Sequence, residues 1–503
     1  MQRAPVTLVV LGVFAALLAL LPIGYLLLRL ADGYERALAE LMRPRTLELG
    51  WNTLALTLSV AITALALGFF QAWLTTRTNL PFARAFAVLA TLPLAIPSYV
   101  LALGYLSIFP SFSGFFPSWI TLSVATAPYV FLAVSAAMMR LSPATEEVSR
   151  SLGYSRWQTL ARITWPQVRP AATASLLLVI LYTLSEFGAV SLLRFDTFTR
   201  AIYNAYRGSF DRTAAASLAL GLVLLTILVI LIERRYRGDY LSAPTQPARR
   251  RKIELGSARI PLALLLLVFA VISVLLPVLA LAGWSVAGSS SANLGELFAA
   301  LIGSVNVAVF AGVIIGIFAI AISIWNLRYH SKLSALIEGT SWAAHALPAI
   351  VVALALVFVG ANLLPGIYQT IWLLLAAYVI LFLPNALSAV ATPLAQVPKS
   401  IEQVSRSLGM SRAKTLIRVV LPISAPGIVA GVSLAALTVL KELPATLLLR
   451  PTGYETLATE LWAATENLAY AQAAPYALAL IIIAGAPALL LNAQARKLVS
   501  EVN

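Results

Sequence analysis

Cysteine is absent from this 503-residue chain, and histidine occurs only as His330 and His345. Without thiols there is no disulfide framework, no thiolate nucleophile and no Cys-built metal centre. Two histidines are too few for a His-built centre, so both are read as structural and no metal site is expected. Charge is scarce as well, at 11% of residues against 60% hydrophobic, and the mean hydropathy is +0.90. Those proportions exclude an ordinary water-soluble protein and define a polytopic membrane protein. Acidic residues are outnumbered by basic ones, 20 to 35. In so apolar a chain that excess follows from helix insertion, which collects Lys and Arg in cytoplasmic loops, and nucleic acid is not expected as a partner. No G-x-x-x-x-G-K-[ST] phosphate loop is present, so the chain is not expected to be an ATPase or any other enzyme.

What is present is a series of long apolar runs. A spanning helix needs about 20 mostly apolar residues, and such runs are centred near residues 18, 62, 97, 129, 182, 223, 271, 312, 349, 380, 437 and 483. They are continuous rather than alternating, which favours helices over barrel strands. The expected fold class is therefore an all-α membrane protein of about 12 transmembrane helices. The first run, Val6 to Leu28, is longer than a signal-peptide core and reads as a retained spanning helix. Placing both termini in the cytoplasm leaves 25 of the 35 basic residues in cytoplasmic segments, with Arg194, Arg200, Arg207 and Arg212 as exceptions. Phe109 to Ser118, uncharged and aromatic, reads as a re-entrant or interfacial turn. The charged, proline-bearing stretch around Glu233 to Arg259 reads as a cytoplasmic linker. This divides the chain into residues 1–235, a linker over 236–258, and residues 259–503. The basic cluster Arg249 to Lys252 fits topology better than headgroup binding.

The two parts are copies of one another. EEVSRSLGYSRWQTLARITWPQVRP from Glu146 and EQVSRSLGMSRAKTLIRVVLPISAP from Glu402 match at 14 of 25 positions at an offset of 256. The same offset pairs Pro128 with Pro384, Glu186 with Glu442, Ala189 with Ala445 and Leu192 to Arg194 with Leu448 to Arg450. It drifts to 254 for Asn52 and Asn306 and to 251 for Pro97 and Pro348. Six helices per copy make these parallel repeats, related by an axis along the membrane normal.

The repeated stretch is polar and cytoplasmic in this topology. Ser142 with Pro143 opens a short helix, with Glu146 and Glu147 in its first turn where the dipole favours negative charge. Gly153 breaks it, Ser155 and Gln158 form a capping box for a second short helix, and Pro166 ends the unit before the fifth spanning helix begins near Pro170. Glu402, Gly409, Ser411 and Pro422 repeat the pattern. Amphipathic interfacial helices alone would explain the arginines but not a glycine and proline recurring thirteen residues apart, so the stretch reads as a docking element.

These residues resemble the permeases of binding-protein-dependent ABC importers, whose signature is E-A-A, three residues, Gly, nine residues, then I-x-L-P. The matching positions are Glu147, Val148, Ser149, Gly153, Ile163 and Trp165-Pro166, and Gln403, Val404, Ser405, Gly409, Val419 and Leu421-Pro422. The alanines are replaced, the second acid is Gln403 with Glu402 one residue earlier, and Trp165 stands where leucine is usual. The fused double length, with EFGAVSLLRFDTFTRAIYNAY from Glu186 and KELPATLLLRPTGYETLATELW from Lys441, is similar to the ferric-iron branch; thiamine, phosphonate, sulfate and polyamine systems stay open. The resemblance implies two tandem repeats of the MetI-like permease type in a bacterial inner membrane. It further implies two cytoplasmic ABC ATPase subunits docking on loops 142–166 and 398–422, and a periplasmic or extracellular substrate-binding protein. Membrane lipid surrounds the spans, and ATP is used by the partners, with no cofactor held by this chain. The competing class, a secondary transporter with two six-helix halves, offers no reason for a duplicated docking motif.

Glu186 and Glu442 lie about 24 Å along the fifth helices, reckoned from Pro170 and Pro426 at 1.5 Å per residue. A carboxylate there must be paired or face water. Either both line a translocation path near an outer gate, or each pairs with an outer arginine such as Arg194 or Arg450. Pro97 and Pro348, in the third helices, are expected to kink them and are candidate gate hinges. Gly68, Gly312 and Gly316 are expected to mark close helix packing.

Overall fold

A computed structural model describes residues 4–141, 148–149, 151–208, 212–236, 252–287 and 293–500. The chain is helical; among the described residues the extended pairing is an isolated bridge between Thr78 and Ile253. Nine helices among them are long and apolar enough to cross a membrane, two bent helix pairs raise the spans to 11, and the shorter apolar helix Tyr470–Gly485 lies where the last span is expected. Hydropathy therefore located the spans, but two details differ.

The third span of each half is broken rather than kinked. Ala83–Ala95 and Ser98–Ile108 meet at 96°, and Lys332–Ala344 and Ala349–Leu363 at 105°. Proline disfavours helical backbone in the residue before it, and Ile96 (φ −95°, ψ 122°) and Pro97 (φ −57°, ψ 144°) are both extended. Pro348 (φ −58°, ψ 141°) repeats this. Each proline then opens the next helix, its carbonyl accepting from Val100 and Leu101, or from Val351 and Val352.

The second difference is at the fifth span. The short helix after each glycine does not stop at Pro166 or Pro422 but runs on into the membrane, giving spans Leu160–Ser185 and Arg412–Leu440. A proline inside an α-helix removes one backbone donor and crowds the preceding turn. Here a π turn widens the helix just ahead of it: Trp165 N–H reaches Leu160 O and Leu421 N–H reaches Leu416 O, five residues back. Phe109 to Ser118 is a turn only to Gly114; helix Phe115–Arg140 starts inside it.

Packing divides the chain into two compact units that do not coincide with the sequence halves. One comprises residues 41–208 and 221–290, the other residues 1–40, 209–220 and 291–503. In the first, helix Pro44–Arg77 packs on Phe115–Arg140 and Trp165–Ser185 around Leu56, Val60, Val130, Phe131 and Val179. Gly68 admits the close approach, since a Cβ there would sit 2.6 Å from Val130 Cβ. The unit also takes in the first helix of the second half: Pro277 seats against Gly104, Tyr105 donates to Ile272 O at 3.1 Å and Trp284 to Ser107 O at 3.1 Å. The other unit mirrors this. Leu294–Arg328 packs on Ile371–Gln396 and Leu421–Leu440, with Gly316 against Val432 and Gly312 against Ala436. Helix Val6–Leu41 joins it through Gly12 on Trp325 and Phe14 stacked 5.9 Å from Phe318.

Candidate functional site

The duplicated polar loop is built by local chemistry. In the second copy, Lys399–Ser407 is followed by Gly409 at φ +86°, and Gly153 has the same φ in the first copy. That left-handed conformation suits glycine, and it lets the next residue close the helix end: Tyr154 N–H donates to Ser149 O and Met410 N–H to Ser405 O, each at 3.2 Å. The expected capping box is present, with Ser155 N–H on Gln158 Oε1 at 2.9 Å and Gln158 N–H on Ser155 Oγ at 3.2 Å. Ser411 Oγ accepts from Lys414 N–H at 3.3 Å.

Ser149 and Ser405 are buried rather than presented. Each is joined to the following short helix, Ser149 Oγ to Thr159 Oγ1 at 3.1 Å and Ser405 Oγ to Thr415 Oγ1 at 2.9 Å. These bonds fix the angle across the glycine turn. Thr159 and Thr415 were not among the expected residues, although threonine stands at both copies 256 residues apart. Outward, each loop shows an apolar pair at helical i, i+4 spacing: Val148 and Leu152 are 56% and 73% exposed, Val404 and Leu408 58% and 77%. Gln403 and Pro422 are exposed, as is Pro166, while Ile163 and Val419 are half-buried within the π turns. Glu402 turns inward to Arg328, Nε to Oε1 2.7 Å, and Arg328 also donates to Leu394 O at 3.1 Å. Glu146 and Glu147, with Ser142 and Pro143, lie outside the described residues. Trp165 departs from leucine for a packing reason: its ring meets Phe69 edge-on at 5.7 Å.

The two buried glutamates serve short helices. Glu186 follows helix Trp165–Ser185 in extended backbone and its Oε1 accepts Ala189 N–H at 2.8 Å. Glu442 accepts Ala445 N–H at 2.8 Å, Thr446 N–H at 2.9 Å and Thr446 Oγ1–H at 2.6 Å. Arg450, the candidate partner for Glu442, meets Glu460 instead, at 3.1 Å. Asp196 in the Arg-rich segment pairs with Arg200 and Arg45. Ser98 Oγ donates to Glu186 Oε2 at 2.8 Å, across 88 residues of sequence, which brings the Pro97 break and Glu186 into one cluster.

Residues 64–237 and 312–502 each match the binding-protein-dependent transport system inner membrane component. The Fe(3+)-transport system permease protein FbpB 2 of Haemophilus influenzae is 34% identical over 505 residues, 99% of this chain and 100% of that protein. The sulfate transport system permease protein CysT of Escherichia coli is 27% identical over 239 residues, 43% of this chain and 86% of its own length. The molybdate/tungstate transport system permease protein WtpB of Thermococcus kodakarensis is 25% identical, covering 44% and 92% respectively. With the family found twice over a duplicated all-helical membrane fold, the chain belongs to the inner-membrane permeases of binding-protein-dependent transport systems.

Proposed function

We propose that the chain forms the translocation path of a ferric-iron ABC importer and couples to two ATPase subunits through its paired loops. The observation that carries the substrate is the end-to-end match to a ferric permease of the same double length, where the sulfate and molybdate relatives align with under half of this chain. The coupling reading rests on the exposed pairs Val148 with Leu152 and Val404 with Leu408. Each pair stands on a loop whose internal geometry is fixed by a serine–threonine bond and which continues through a π turn into a membrane span. A push on such a loop moves the span as one body. The loops lie on the cytoplasmic side in this reading, with both termini, and a substrate-binding protein delivers from the other side.

The test is reconstitution with the cognate ATPase and binding protein in liposomes. ATP-dependent uptake of radioactive iron from the loaded binding protein is expected, with sulfate, molybdate and thiamine failing to compete. Leu152→Glu with Leu408→Glu is expected to weaken ATPase binding about tenfold or more, as loss of anchoring apolar contacts does. Iron uptake that persists without ATP, or ATPase binding unchanged in the double variant, would sink the reading.

A further inference from the structure

We propose that Ser98 and Glu186 latch the helix break at Pro97, and that the break at Pro348, which has no such latch among the described residues, is the more mobile bend. In the first half the residue straight after the break is Ser98, 3% exposed, and its hydroxyl donates to Glu186 at 2.8 Å. Glu186 is itself held from two further directions. Its Oε1 takes Ala189 N–H, and its backbone carbonyl takes the Thr199 hydroxyl at 2.5 Å. The helix leaving the bend is thereby tied to the end of the fifth span and to the short helices after it.

In the second half the residue after Pro348 is Ala349, which has no side-chain donor. The bonds recorded to the Glu442 carboxylate come from its own short helix, Ala445 and Thr446, and Thr446 is linked onward to Tyr378 at 2.8 Å. Glu442 thus caps a helix without gripping the bend. The two glutamates align in sequence yet do different work, Glu186 and Ser98 acting as positioning residues.

The inference concerns each bend by itself and does not depend on the substrate or the ATPase. Because the chain has no cysteine, spin labels at Ala85→Cys with Phe109→Cys, or at Leu336→Cys with Leu363→Cys, report each bend in the full chain in lipid nanodiscs. The first pair is expected to give one narrow distance distribution and the second a broader one. Ser98→Ala should raise the minor population at the first bend about tenfold, the effect of leaving a buried acceptor without its donor. Ser98→Thr, which keeps the hydroxyl, should restore the narrow distribution, and Glu186→Gln should broaden it. Equal widths at the two bends in the parent chain would overturn the proposal. So would a first bend left unchanged by both Ser98→Ala and Glu186→Gln.

Discussion

Gly153 and Gly409 show how much of the loop depends on a single backbone angle. Both have φ +86° and open space where a Cβ would stand, so alanine there meets no clash and its cost is conformational, about 1–2 kcal/mol for left-handed backbone. Gly153→Ala and Gly409→Ala are each expected to loosen the turn and lower substrate-stimulated ATP hydrolysis while leaving the folded membrane core intact. The comparison of ATPase stimulation with the melting temperature checks this. The two losses need not match, since Trp165 braces the first loop on Phe69 while Leu421 stands at its counterpart. The same scale explains why Ser149 and Ser405 could be found from sequence while their threonine partners could not. Their recurrence marked them, yet a repeated serine does not say whether it faces a partner or, as here, a threonine ten residues on.

At the level of helices, small residues decide how close two spans come. A Cβ at Gly316 would lie 2.6 Å from Val432 Cγ2, so Gly316→Leu must push two helices apart. Overpacking of this kind costs about 1–3 kcal/mol, and a lower melting temperature in detergent is the expected readout, with Gly339→Leu, which has nothing within 4 Å, as the unchanged control. This contact was legible in the sequence as Gly312 and Gly316 on one helix face, and the span positions were legible from apolar run length. The helix ends were not. Pro166 reads as a stop because proline cannot donate, but a π turn five residues deep absorbs the missing bond. Pro97 reads as a kink, whereas the 96° break is held by Ser98 and Glu186, 88 residues apart, and no local pattern encodes that distance. Arg328 was invisible for the same reason: it lies at the end of helix Leu294–Arg328 and meets Glu402 only in the folded chain.

For the molecule as a whole, the exchange of first helices is the feature the duplication did not announce. An apolar stripe states that a helix will be covered but not by what, so sequence alone assigns residues 1–40 to their own half, whereas they pack with residues 291–503. Two polypeptides divided in the linker, residues 1–236 and 252–503, are therefore expected to be unstable when made singly, each with a helix lacking its seat. Co-expression should recover a complex that co-purifies, and a stable, monodisperse single half would contradict the exchange. The exchange also sets a timetable for synthesis. Phe14 stacks on Phe318, so the first helix waits in the bilayer while about 300 further residues are added, roughly 15–60 s at 5–20 residues per second. During that interval its contact face meets lipid or the insertion machinery, and about 185 residues are still to be added when Phe318 has been made.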